Sequence, residues 1–157
     1  MKIRVIGVGS AIRCDDAVGL AVLRELSNEL LPQNVELVEA GTAGMSLMEL
    51  MAGAEKVILV DAIVGGVQPG KIHRLNVQDF VERRGRAISA HELGPLDALR
   101  LTDVLRPGQI PEQVMVLGIE ISDQTGVGKR LTPEVRAAIP EAVRAIMAEL
   151  RLASRCC

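Results

Sequence analysis

Apolar positions follow two rhythms that alternate along the chain. Lys2 to Ile6 is a short β-branched run that reads as a strand, closed by Gly7-Val8-Gly9-Ser10. After the acidic pair Asp15-Asp16 the period lengthens. Gly19, Leu23, Leu26 and Leu30 recur at helical spacing opposite Arg24, Glu25, Asn28 and Glu29, until Pro32 stops the pattern. Asp15 stands where it can cap the first amides of that helix. Val35 to Val38 is again a strand, Gly41-Thr42-Ala43-Gly44 turns the chain, and a Met- and Leu-rich helix follows near Met45 to Met51. Lys56 to Val60 is then almost wholly apolar, and Asp61 ends it.

Past Asp61, Gly65 to Gly70 forms a turn and Lys71 to Leu75 returns as a strand at the sheet edge. Val77 to Arg86 is polar and carries no clear period. Ser89 with Glu92 fits a capping box, and Gly94-Pro95 limits it to a single turn or a restart at Pro95. Gln113 to Ile119 is a further strand. Thr132-Pro133 opens a final helix whose Val135, Ala138, Ile139, Ala142, Val143, Ile146 and Leu150 make one apolar stripe, with a slight kink expected at Pro140. An all-apolar strand belongs inside a sheet covered on both faces. Strands alternating with helices therefore predict an α/β fold, a three-layer α/β/α sandwich with a mostly parallel central sheet, built as one domain over residues 1–157.

Composition sharpens the picture in two respects. Aromatics are 1% of the chain against 48% hydrophobic residues, so the core has to be filled by small aliphatic side chains. The formal charge of −2 offers little attraction to nucleic acid or an anionic membrane. The amino-terminal apolar run is broken too early for a signal peptide, and no stretch reaches membrane-spanning length, so a cytoplasmic protein is expected. Cys14 and the Cys156-Cys157 pair form neither a disulfide framework nor a zinc knuckle and read as free thiols.

In parallel sheets ligands collect beyond the carboxyl ends of the strands, and three features arrive there. The glycine loop Gly7-Val8-Gly9-Ser10-Ala11-Ile12 resembles a phosphate cradle only superficially. Ile12 replaces the last glycine of the dinucleotide pattern, and Asp15-Asp16 puts negative charge where a phosphate would sit, so no nucleotide is expected. Asp61 closes a buried strand. Its carboxylate has to be hydrated, paired or bound to a cation, because desolvating it alone costs several kcal/mol, and turn capping would also account for it. His91, beside Ser89 and Glu92, fits a base, a ligand or a capping-turn residue equally well. His73 lies on the edge strand and reads as a surface residue. Together the acidic pair, Asp61 and His91 make a mixed oxygen and nitrogen donor set that suits a divalent transition ion with open coordination positions. Ser10 and Ser89 lack a nucleophile-elbow sequence, and Cys14 beside two aspartates has its thiolate disfavoured.

GVGSAIRCDDAVG resembles the glycine-loop and acidic-helix opening of the hydrogenase-maturation endopeptidases. EAGTAGMSLMELM, VILVDAIVGGVQPG, SAHELGPLDAL, VLGIEI and LTPEVRAAI follow in that family's order over nearly the whole chain. The resemblance implies nickel ligands at Asp16, Asp61 and His91, and a substrate-recognition role for Glu39, Gly41 and Thr42. It further implies an endopeptidase that removes the C-terminal extension of a nickel-iron hydrogenase large-subunit precursor once nickel is inserted. That nickel is carried by the substrate, in a site that other divalent ions could also occupy. The alternative is a maturation factor that binds the nickel-loaded precursor without cutting it.

Overall fold

The computed structural model describes residues 1–41, 46–64, 66, 68–76, 110–122, 128 and 130–154. Among the described residues five strands form one sheet: β1 (Ile3–Val8), β2 (Val35–Gly41), β3 (Lys56–Ile63), β4 (Ile72–Asn76) and β5 (Gln113–Glu120). Their order is β2-β1-β3-β5-β4, parallel throughout except for β4, which runs antiparallel along β5 at one edge. Helices α1 (Val18–Leu26) and α3 (Pro133–Ser154) cover one face, where Val22, Leu26, Ala142 and Ile146 pack on Val5, Ile58, Val60 and Leu117. Helix α2 (Ser46–Met51) covers the other through Leu47 and Met51 on Ile6, Val57, Leu59 and Val116. This is the expected three-layer sandwich with an aliphatic core. Burying each such Leu, Ile or Val contributes roughly 1.5–3 kcal/mol, and β3 is sealed from Lys56 to Ala62.

Several local expectations are corrected. Helix α1 neither starts at the acidic pair nor reaches Leu30. Cys14–Ala17 is a 3₁₀ turn, α1 ends at Leu26, and Leu30 is 96% exposed. Ser27 Oγ and Asn28 Nδ2 both donate to the carbonyl oxygen of Arg24, at 2.6 and 3.4 Å, so short polar side chains take over where the backbone ladder would have continued. Asp15 does not cap α1. Its carboxylate accepts from the backbone amide and hydroxyl of Thr132, at 2.6 and 2.8 Å, and so anchors the start of α3. Strand β2 runs on to Gly41, and β3 continues through Asp61 to Ile63 because β5 still pairs with it there.

Helix α3 continues through Pro140, with the predicted stripe inward and Ile139 half-buried. Lys56 opens the apolar strand as a buried charge paired with Glu149 of α3, whose other carboxylate oxygen is held by Arg74. No helix among the described residues is long and apolar enough to cross a membrane.

Candidate functional site

Sheet order sets the position of the site. The chain leaves β1 toward β2 on one side and later returns to place β3 on the other, so a crevice opens beyond the carboxyl ends of β1 and β3. Helix α1 is drawn close to that crevice. A Cβ on Gly19 would stand 2.4 Å from the Val8 carbonyl oxygen and 2.5 Å from that of Val60, so only glycine lets the helix seat on both strand ends. The 3₁₀ turn before it packs against β3 and brings Asp16 beside the strand that carries Asp61.

Both aspartates are buried, Asp16 at 8% and Asp61 at 1% exposure. Asp16 Oδ2 accepts the Ser10 amide at 2.9 Å, and Asp61 Oδ1 accepts the amide of its neighbour Ala62 at 2.9 Å. Each carboxylate thus has an oxygen fixed by backbone, which sets its orientation. Gly9, at φ 141°, has no room for a side chain, since a Cβ there would lie 2.0 Å from the Asp16 carbonyl oxygen.

The loop is no phosphate cradle. Its Gly9 amide donates to Gly41 O at 2.7 Å and its Ser10 amide is taken by Asp16, so the donors a phosphate would need point inward.

The turn is also pinned from the far end of the chain. Residue 128 pairs alongside Arg13, the Cys14 amide donates to Gly128 O at 2.9 Å, and Cys14 is held at φ 39°. Asp15 then ties the same turn to α3 through Thr132. Sequence reasoning missed this anchor because nothing in local spacing connects residues 117 positions apart.

Of the other predicted positions, Gly41 ends β2 at φ 58° beside the glycine loop, and Glu39 is exposed and in register with Gly7. His91 and Thr42 lie outside the described residues. Among the described residues no group of three His, Cys, Asp or Glu comes together as a metal cluster. The structure places two buried carboxylates at this end of the sheet, Asp16 on the turn that packs against β3 and Asp61 on β3 itself, and both are hard oxygen donors of the kind a divalent ion takes.

One pair was not foreseen. His73 is not a plain surface residue, because its Nε2 lies 2.9 Å from Oε2 of Glu120, a carboxylate 2% exposed near the end of β5. The signal was available. Glu120 interrupts an apolar run just as Asp61 does.

The family model for HycI, hydrogenase maturation protease, matches residues 20–149. The hydrogenase 2 maturation protease of Escherichia coli is 35% identical over 156 residues, covering 96% of this chain and 92% of that protein. Protein FrxA of Pyrococcus furiosus is 33% identical over 138 residues, 87% of this chain and 96% of that one. Among solved structures, the hydrogenase maturating endopeptidase HybD from Escherichia coli superposes with a TM-score of 0.80 at 33% identity, covering 98% of this chain and 94% of that one. HybD from Thermococcus kodakarensis, at 24% identity and a TM-score of 0.75 over 96% of this chain and 99% of that one, shares the fold. The chain is a hydrolase and belongs to the hydrogenase maturation protease family.

Proposed function

We propose that this endopeptidase acts on the large-subunit precursor of a nickel-iron hydrogenase, in the cytoplasm, and removes its C-terminal extension after nickel has been inserted. Asp16, Asp61 and His91 complete the coordination of the nickel that the substrate carries, so that metal loading is the condition for productive docking. Glu39 and Gly41, at the end of β2, together with Thr42, receive the substrate chain. The observation that carries this reading is two buried, backbone-oriented carboxylates, one near the end of β3 and one on the turn packed against β3, at the point where strand order reverses. Carboxylate oxygens are donors that a divalent ion accepts readily, and a docked ion would find two of them already oriented here. A metal ion so held can polarise a carbonyl or lower the pKa of a bound water.

The test is mass spectrometry of a nickel-loaded large-subunit precursor incubated with wild type and with Asp16→Ala, Asp61→Ala and His91→Ala. Loss of a discrete C-terminal peptide with wild type alone is the expected result. Full-rate processing by the variants would remove these three residues from the site. A precursor bound by wild type yet left intact would mean a docking factor.

A further inference from the structure

Family membership leaves open which group takes the proton from the attacking water. Strand alternation identifies a candidate. Leu59, Val116 and Leu75 point into the core on the α2 face, whereas Val60, Leu117 and Ile72 point to the opposite face. Counting by twos, Asp61, Gly118, Glu120 and His73 all lie on the α2 face. Pairing puts Asp61 beside Gly118 and Gly118 beside His73, so the three form one row across β3, β5 and β4 near the carboxyl end of the parallel strands. Their backbones are two strand spacings apart, roughly 10 Å. Between them Gly118 contributes no side chain, and Ile63 covers its backbone, with Cδ1 2.8 Å from where a Cβ would stand. A carboxylate and an imidazole thus flank an apolar floor.

We infer that His73 is the proton acceptor of the hydrolysis and that Glu120 is its positioning residue, an inference that rests on the function proposed above. Glu120 as a carboxylate only accepts, so it fixes the proton of His73 on Nε2 and leaves the lone pair on Nδ1. The imidazole side chain is 26% exposed, so it is open to substrate, whereas its partner is sealed. With nickel and the scissile carbonyl docked on the Asp61 side of the floor, a water attacks the carbonyl carbon from the His73 side. As its oxygen bonds to carbon, its proton passes to Nδ1. As the carbon–nitrogen bond breaks, that proton is delivered to the leaving amine. One water is consumed, and an acid and an amine are released. No oxidant or further reactant is required.

The experiment measures processing of the nickel-loaded precursor by wild type, His73→Gln, His73→Ala and Glu120→Gln, with thermal melts of each protein. His73 sits on an edge strand, so the glutamine variant, which can still donate to Glu120, keeps the fold. General-base loss typically costs at least about 100-fold, and this should appear in kcat with KM held within about twofold. Added imidazole should restore part of the rate of His73→Ala. Glu120→Gln should lower kcat less than His73→Gln does. A wild-type rate in His73→Gln, or a deficit in His73→Ala that follows its melting temperature and ignores imidazole, would overturn the assignment while leaving the protease reading intact. Failure of wild type to cut would bring down the function and the inference together.

Discussion

Gly19→Ala sets two principles against each other. Alanine is the better helix former by roughly 1 kcal/mol, so a helix considered alone would gain stability. The structure predicts the opposite. The added Cβ would meet the Val8 and Val60 carbonyl oxygens at 2.4 and 2.5 Å, whereas ordinary contact begins near 3.4 Å, so α1 must retreat by about 1 Å from both central strands. Neither obstacle is a flexible side-chain end; both are backbone atoms of the sheet. Overpacking costs typically 1–3 kcal/mol, and two backbone obstacles put this site in the upper part of that range, about 2–3 kcal/mol, so that a net loss of about 1–2 kcal/mol remains after the propensity gain. For a domain of this size that corresponds to a fall in Tm of about 2–8 °C. Urea denaturation should show a lower midpoint with an unchanged slope, since the surface exposed on unfolding is the same. The same retreat would move the Asp16 turn away from β3, so processing should fall by more than the stability loss accounts for. An alanine variant as stable as wild type, or more stable, would refute the close approach of helix and strands on which the site description depends.

Three further outcomes follow from the structure. Thr132→Val keeps the backbone bond to Asp15 but removes the hydroxyl that donates to its buried carboxylate, and should destabilise by about 1–3 kcal/mol in the same urea assay. Lys56→Met leaves buried Glu149 with Arg74 as its ion-pair partner among the described residues, so the loss should fall below the roughly 3–5 kcal/mol of a buried pair broken outright, and the double variant with Glu149→Leu should recover most of it; equal melting of single and double variants would contradict the pairing. Glu36 has its carboxyl held below the ordinary 4.5 by hydrogen bonds from Arg4 and then Lys2. A depressed folded-state value means its contribution to stability is present above 4.5 and lost as pH falls through the folded value, so an NMR titration should place its midpoint below 4.5 and Arg4→Ala should move it upward.

The elements most legible in the sequence were those whose burial is written as a repeating pattern. The unbroken apolar run of β3 gave a central strand, and the stripe from Val135 to Leu150 gave the long covering helix. Asp61 was readable for the converse reason: a carboxylate in a sealed strand needs an explanation, and the same reasoning applied to Glu120 would have exposed the His73 pair. What was not legible depends on contacts between distant segments. Asp15 sits where a local cap belongs, yet its partner is supplied by a helix far along the chain. Leu30 keeps the helical period but lies past Ser27 and Asn28, whose side chains end the helix regardless of period. Lys56 counts as polar by composition, but Glu149 makes it part of the interior.

The Asp15–Thr132 contact also bears on how the active centre forms in time. Joining residues 117 apart closes a loop whose entropy cost, by the logarithmic scaling, is about 4 kcal/mol before any bond rewards it. By the same scaling the Ile3–Val35 and Lys56–Gln113 pairings cost about 3 and about 3.6 kcal/mol, so the anchor exceeds them by roughly 0.6–1 kcal/mol. The sheet and the first helix can therefore assemble around an acidic turn that is not yet fastened. The orientation of the turn that carries Asp16 therefore depends on a contact that spans most of the chain and is secured only when distant segments have met.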